Sequence, residues 1–205
     1  MAQAMALEPT PTRTMTIAEW AAMDEDEPGE LVDGVLVEEE VPEYVHELIV
    51  GWLIRILGVW AAPRGAFVAG SGAKFAVAPR RGRMPDLTVF FGGGRLPPRR
   101  GPITIPPDIA VEIVSPTPRD GRRDRIDKHR EYAAFGVRFY WILDPEARTL
   151  EVLELGPDGR YIAACLAANG TVTEVPGCDG LTIDLDDLWA QVDRLGPEPE
   201  AEKGR

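Results

Sequence analysis

The stretch PDIAVEIVSPTPRDGRRDRIDKHREYAAFGVRFYWILDP, residues 107–145, decides the fold that we predict for this chain. Its pattern predicts a strand, a loop, a helix and a second strand. The first strand, Ile109 to Val114, is apolar except for Glu112 in its middle. A mostly apolar strand followed by a crossover helix and another apolar strand is typical of a sheet that is covered on both faces. A carboxylate there costs on the order of several kcal/mol unless a cation or hydrogen bonds satisfy it. Glu112 is therefore the first candidate for a functional residue.

The charges of the chain are unevenly distributed. The formal net charge is −12, and the segment from Asp24 to Glu47 holds eleven acidic residues without a lysine or arginine. The segment from Arg64 to Arg148 holds sixteen basic residues against nine acidic ones. The net charge argues against a nucleic-acid binder, whereas the second segment is compatible with a basic groove. A proteome-wide acidic bias would also explain the net charge.

The length of 205 residues favours one domain, over 14–192, between a disordered leader, 1–13, and a disordered tail, 193–205. The leader lacks the basic start and apolar run of a signal peptide. The longest apolar run, Leu48 to Ala62, is interrupted by Arg55 and is too short to span a bilayer. The two cysteines have neither metal-ligand spacing nor a secretory context, which favours the cytoplasm.

The remaining segments predict a mixed α/β (α+β) architecture, with a central sheet flanked by helices and a C-terminal part rich in hairpins. The N-terminal half is expected to hold a short helix after the capping box of Thr16 and Glu19, a hairpin turning at Asp33-Gly34, a long helix over 42–60, and two or three strands within 66–91. The C-terminal half is expected to hold a helix over about 121–135 ended by Gly136, a meander after 145 and a short terminal helix. His46 lies near the start of the long helix, where a lone histidine is more often a packing or capping group than a catalyst.

A second carboxylate, Asp86, follows Pro85 at the end of the predicted loop APRRGRMP. This loop carries Arg80, Arg81 and Arg83. Two interpretations remain open for the arginines, because they can form surface ion pairs or contact phosphates beside a metal site. Asp86 alone is also typical of a turn after proline. It gains weight because Glu112 recurs on a second strand.

Four motifs in a fixed order resemble the Uma family of bacterial restriction-endonuclease-like proteins, within the PD-(D/E)xK nuclease superfamily. These are Pro85-Asp86, VEIVSPT at 111–117, the set Asp124, Lys128 and Tyr132, and YWILDP at 140–145. The segment ELVDG at 30–34 and the helix with His46 fit the same family, and the resemblance covers roughly 16–155. The family usually carries Pro-Glu where this chain has Arg138-Phe139, which affects a strand start rather than the site.

The resemblance implies a restriction endonuclease-like fold and a hydrolase that acts on DNA with Mg²⁺ or Mn²⁺. A divalent ion of this kind prefers a few carboxylates together with water and substrate oxygens. Asp86 and Glu112 would then be the catalytic metal ligands, with Glu30 as a third carboxylate. The resemblance further implies that the carbonyl oxygen of Ile113 is a ligand. Without the resemblance, Glu30 is an ordinary exposed strand carboxylate.

The lysine of the superfamily motif is missing from its usual place, which Val114 occupies here. Lys128 on the following helix is the candidate to replace it, as in lysine-migrated members of the superfamily. Its catalytic role would be to orient the attacking water and to stabilise developing charge. The alternative is a solvated salt bridge with Asp124, four residues earlier on the same helix. Tyr132 lies one turn further on, either lining the site or in the core.

We therefore expect a metal-dependent endonuclease-like protein with DNA as its partner and no membrane association, and a homodimer is compatible with this expectation. Arg122 and Arg123, at the start of the predicted helix, would join Arg80, Arg81 and Arg83 in binding nucleic acid. One alternative is a catalytically silent nuclease fold that binds nucleic acid or protein. Another is a small-molecule or structural domain in which an arginine such as Arg122 merely satisfies Glu112.

Overall fold

The protein is described here as a computed structural model. The predicted leader and all but the first four residues of the predicted tail lie outside the described residues, so the domain boundaries stay predictions. The structure describes residues 14–24, 29–37, 42–115 and 123–196, except for the side chains of 123–125.

A mixed sheet of six strands forms the centre of the domain, as the sequence predicts. Its third and fourth strands in space are parallel, and the other neighbouring pairs are antiparallel. The order across the sheet is β10 (Tyr161–Ala167), β9 (Thr149–Leu155), β8 (Phe139–Asp144), β7 (Ile109–Ile113), β6 (Leu87–Phe90) and β3 (Phe67–Gly70).

The parallel pair β7–β8 requires a crossover, because parallel strands cannot be joined by a tight turn. The described part of this crossover is a π-helical segment, Arg123–Lys128, which continues into an α-helix, His129–Phe135. We call this α-helix α3. Gly136 ends α3 with a left-handed φ of 96°, as predicted for a glycine cap. The hairpin of β9 and β10 confirms the first part of the predicted meander. The next predicted strand is present as Thr171–Val172, but it pairs with Ile183–Asp184 outside this sheet.

A smaller sheet of four strands lies in the order β2 (Val35–Val37), β1 (Glu30–Val32), β5 (Arg81–Arg83) and β4 (Phe75–Ala78). The strands β1 and β2 form the predicted hairpin. Asp33 and Gly34 at its turn have φ values of 52° and 83°, as a type I′ turn requires. A third sheet consists only of β11 (Thr171–Val172) and β12 (Ile183–Asp184).

The predicted loop APRRGRMP is wrong in its central part, because Arg81–Arg83 is the strand β5. This strand pairs with β4 and also contacts β1 through Leu31 and Gly82. Its sequence, Arg-Gly-Arg, lacks the apolar alternation that usually indicates a strand. The two arginines lie on one side of β5, and Gly82 is on the other side against the indole of Trp20.

Helices cover both faces of the central sheet. The short helix α1 (Ile17–Ala21) begins at the predicted capping box, and α4 (Leu185–Val192) is the predicted terminal helix. The long helix α2 (Tyr44–Ala61) packs on one face through a large apolar core that includes Trp52, Leu53, Leu57, Val111, Ile113 and Trp141. On the other face, Tyr132 of α3 packs edge-on against Tyr140 of β8, at 5.1 Å between ring centroids.

The stretch Tyr44–Arg64, which contains α2, is long and apolar enough to cross a membrane by length and composition, with a mean hydropathy of 1.5. One such helix is weak evidence, because the core helix of a soluble protein meets the same criteria. Here 39% of the apolar window is buried inside the protein.

We predict that Gly82→Ala destabilises the domain. A Cβ atom at this position would lie 2.3 Å from the indole of Trp20, so β5 or α1 must shift. Such overpacking typically costs about 1–3 kcal/mol. The matched control is Gly51→Ala on α2, where a Cβ atom meets nothing within 4 Å and should leave stability unchanged or raise it by up to about 1 kcal/mol. Urea unfolding of both variants checks this, and equal midpoints for Gly82→Ala and the wild type would contradict it.

Candidate active site

Glu112 is buried on the face of the central sheet that α3 covers, with only 2% of its surface exposed. Successive side chains of β7 point to opposite faces, so Val111 and Ile113 contact the core around α2 while Glu112 points to the other side. Two donors satisfy its carboxylate. The ammonium of Lys128 donates to Oε2 at 2.7 Å, and the hydroxyl of Tyr132 donates to Oε1 at 2.6 Å.

The two donors come from the crossover helix, one turn apart. Lys128 is only 3% exposed, so the alternative of a solvated helix face is wrong. Its Nζ atom also lies 3.5 Å from Oε1 of Glu30 on β1. Burial and the charge of Glu112 raise the pKa of Tyr132 well above its ordinary value. The hydroxyl therefore stays protonated and remains a donor.

The prediction that Arg83 contacts nucleic acid is wrong, because this side chain is buried. It is 1% exposed, and its guanidinium donates to Oε2 of Glu30 at 2.5 Å and to both oxygens of Glu131 at 2.6 and 2.9 Å. Burial opposes its charge, but the hydrogen bond to Glu131 and the charges of both carboxylates raise the pKa of Arg83 above its usual value. A phosphate cannot reach this side chain without displacing a buried carboxylate.

The other predicted arginine contacts differ in their accessibility. Arg81 is partly buried and donates to Glu131 and to both oxygens of Asp33, at 3.1 and 2.9 Å for the latter. Arg80 is exposed, and its guanidinium donates to the carbonyl oxygen of Asp33 at 2.5 Å. Arg122 and the side chain of Arg123 lie outside the described residues.

Glu131 is a member of the site that sequence reasoning missed altogether. This residue connects Arg81 and Arg83 on the small sheet to the helix that carries Lys128, three residues before it. The available signal was weak: Lys128 and Glu131 are i and i+3 on one helix, and so lie on neighbouring positions of its surface. Nothing in the sequence pairs Glu131 with a strand 48 residues away.

Asp86 lies just before β6. The last pair of β6 and β7 is Leu87 with Val111, so continuing the antiparallel register puts Asp86 opposite Glu112. Its Oδ2 atom accepts a hydrogen bond from the backbone N–H of Ile113 at 2.7 Å, and its Oδ1 atom lies 3.1 Å from Nε2 of His46. Both carboxylate oxygens of Asp86 are thus in contact with polar groups of neighbouring elements.

His46 occupies the first turn of α2, and its side chain is 12% exposed. Burial alone would lower the pKa of His46. The hydrogen bond and the charge of Asp86 outweigh this effect with help from Glu47, so the pKa is raised from its ordinary value. His46 therefore contacts Asp86 of the predicted site, although the sequence favoured a packing or capping role for this histidine.

The predicted metal ligands fit a divalent cation only in part. Glu112 on β7 and Asp86 just before β6 are hard oxygen donors, and Mg²⁺ is commonly bound by one or two carboxylates completed by water and substrate oxygens. Within the described ranges, however, no three His, Cys, Asp or Glu side chains form a group that could hold a metal ion. The predicted third ligand, Glu30, is instead fully buried and bonded to Arg83 and to the N–H of Met84.

Comparison with known proteins gives a family and a fold. A family model named Uma2, with the description "Putative restriction endonuclease", matches residues 16–186. A crystal structure of a "putative nuclease belonging to DUF820" from Anabaena variabilis has 19% sequence identity and a TM-score of 0.66, over 86% of this chain and 98% of that one. A search of the curated proteins found no significant match. The structural match supports the predicted fold, and the family model indicates a protein of the restriction-endonuclease type.

We predict that Arg83→Met lowers the free energy of unfolding by about 3–5 kcal/mol, because it leaves the buried Glu30 and the partly buried Glu131 without the cation between them. The control is Arg148→Met, which breaks an exposed pair with Asp193 and should leave stability close to that of the wild type. Denaturant unfolding at neutral pH measures both. Similar losses for the two variants would mean that Arg83 does not hold the carboxylates together.

Proposed function

Because the chain belongs to the Uma2 family of restriction-endonuclease-like proteins, as its motifs predict, we propose that it is a metal-dependent nuclease that hydrolyses phosphodiester bonds of DNA. The observation that carries this proposal is the contact between Lys128 and Glu112, with Asp86 just before the adjacent strand β6. Two carboxylates that can bind a divalent cation and an ammonium that can stabilise developing charge are groups that metal-dependent phosphodiester hydrolysis uses. The free cysteines Cys165 and Cys178 agree with a cytoplasmic location.

Asp86 and Glu112 would hold Mg²⁺ or Mn²⁺, with the carbonyl oxygen of Ile113 as the further ligand that the motif implies. When bound, such an ion neutralises the phosphate and lowers the pKa of a coordinated water. The remaining chemistry belongs to the chain itself. Tyr132 keeps one oxygen of Glu112 in place through a 2.6 Å hydrogen bond, and thereby limits the orientations that this carboxylate can take.

Lys128 would orient the attacking water and stabilise the negative charge that develops on the phosphate. A lysine ammonium has three N–H donors. One of them reaches Glu112, and Oε1 of Glu30 lies 3.5 Å from the same nitrogen. Preorganised donors of this kind act without reorientation during the reaction, which makes them efficient in a buried site.

The DNA would approach across exposed arginines rather than Arg83. Arg80 is exposed beside the hairpin turn at Asp33, and Arg95, Arg99 and Arg100 are exposed on the connector between β6 and β7. Each arginine that neutralises a phosphate releases a condensed counterion, which favours binding at low salt. These exposed arginines are the groups that would neutralise phosphates despite the net negative charge of the chain.

A catalytically silent binding module is the second candidate. It is favoured by the hydrogen bonds at both oxygens of Asp86 and both oxygens of Glu112, and by the lack of a three-ligand group among the described residues. Such a protein would keep the fold and the arginines but bind no catalytic cation. Metal-dependent cleavage separates the two candidates.

We predict that Glu112→Gln and Asp86→Asn each abolish Mg²⁺-dependent cleavage of plasmid DNA, because either change removes a charged ligand. Lys128→Met should lower the cleavage rate by about a hundredfold or more, the effect typical of removing one transition-state stabiliser. The control is Asp158→Asn at the exposed tip of the β9–β10 hairpin, which should cleave like the wild type. Circular dichroism checks that each variant is folded.

Two results would contradict this assignment. If the wild type cleaves neither DNA nor RNA with Mg²⁺ or Mn²⁺, the binding module replaces the nuclease. If Lys128→Met cleaves as fast as the wild type, Lys128 is a structural ion-pair partner only.

We also predict that DNA affinity falls steeply with salt and that Arg80→Ala combined with Arg95→Ala, two exposed arginines, makes this dependence shallower. The slope of log K against log salt should decrease in magnitude by about 0.9 for each phosphate that the protein no longer neutralises. Fluorescence anisotropy with a labelled duplex at several salt concentrations measures it. Arg160→Ala, an exposed arginine at the β9–β10 hairpin, is the control. An unchanged slope in the double variant would remove these two arginines from the DNA interface.

A further inference from the structure

His46 contacts the site from a different element than any residue assigned to it so far. The other groups come from the sheets and the crossover helix, whereas His46 is the third residue of α2. Its Nε2 atom lies 3.1 Å from Oδ1 of Asp86. Its Nδ1 atom is buried without a hydrogen-bond partner in the described structure, and a carboxylate oxygen of Glu47 is 3.5 Å away. Of these two polar contacts, the one through Nε2 is the shorter.

The carboxylate of Asp86 is consequently held from two sides. The N–H of Ile113 on β7 fixes Oδ2 at 2.7 Å, and His46 on α2 fixes Oδ1. An aspartate with a single hydrogen bond can still rotate about its last torsion, which is broad for this residue type. Contacts at both oxygens restrict this rotation and fix the plane of the carboxylate.

We infer that His46 is the positioning residue of Asp86, and that its Nε2–H orients this carboxylate to accept the divalent cation. The role of the cation in this inference rests on the proposed function, whereas the contact between His46 and Asp86 is present in the structure without a cation. Partners of metal-binding carboxylates typically contribute about 10–100-fold to metal affinity through such orientation. The opposing interpretation is that His46 only fills space at the start of α2.

Three substitutions separate these roles, because the nitrogen of an amide side chain can stand in for one ring nitrogen. The longer His46→Gln carries its N–H₂ group close to where Nε2 lies, whereas the shorter His46→Asn carries it close to where Nδ1 lies. His46→Ala removes both donors. If Nε2 positions Asp86, the glutamine restores the function, and the asparagine and the alanine do not.

The first measurement needs no metal. Since Asp86 accepts from the amide of Ile113, releasing Oδ1 should loosen Oδ2 as well and move the Ile113 amide proton resonance upfield in His46→Ala and His46→Asn. It should stay near its wild-type position in His46→Gln. The amide of Val111, in the same strand but paired with Leu87, serves as the internal control.

The second measurement is Mn²⁺ affinity by titration calorimetry on the whole chain at one fixed pH. We expect dissociation constants about 10–100-fold weaker for His46→Ala and His46→Asn and near wild type for His46→Gln. Equal affinity in all variants overturns the inference, as does a glutamine variant as weak as the alanine one. If the wild type binds no Mn²⁺, the proposed metal function fails, and the Ile113 resonance alone then decides whether His46 holds Asp86.

Discussion

The burial of a lysine ammonium against a glutamate carboxylate is the constraint on which the rest of this structure depends. Removing each charge from water costs several kcal/mol or so, and only good geometry with further hydrogen bonds repays this cost. The contact of Lys128 with Glu112 at 2.7 Å meets this condition, together with the hydroxyl of Tyr132. Glu112 lies on the parallel strand pair, and Lys128 and Tyr132 lie on the helix that connects the two strands. The contact among the three side chains therefore depends on this crossover topology.

The small four-stranded sheet contributes further charged residues around this ion pair. It supplies Glu30 from β1 and Arg83 from β5, and Arg83 in turn holds Glu131 on the helix that carries Lys128. The helix is therefore held over the central sheet by two ion pairs, one from Lys128 to Glu112 on the central sheet and one from Glu131 to Arg83 on the small sheet. This explains why Arg83, in a strand with the sequence Arg-Gly-Arg, is buried in the domain rather than exposed on its surface.

The sequence predicts the local features of this arrangement and misses the distant pairings. Glu112 stands out because a carboxylate interrupts an apolar strand, and the turn at Asp33-Gly34 has a residue pair that tolerates positive φ. By contrast, Arg83 looks like a phosphate contact until its partner Glu131 is known, 48 residues away. The contact of His46 is equally invisible, because a single sequence gives the type of each residue but not its partner in space.

The wide spacing of the ionic cluster along the chain has a consequence for synthesis on the ribosome. Glu30 and Glu131 are 101 residues apart, and both bind Arg83. At elongation rates of roughly 5–20 residues per second, Glu30 waits roughly 5–20 s before the last member of the cluster is made. A nascent or truncated chain that ends before the crossover helix has its acidic hairpin but no ammonium beside Glu112. The buried ionic cluster can therefore form only after Glu131 has been synthesised.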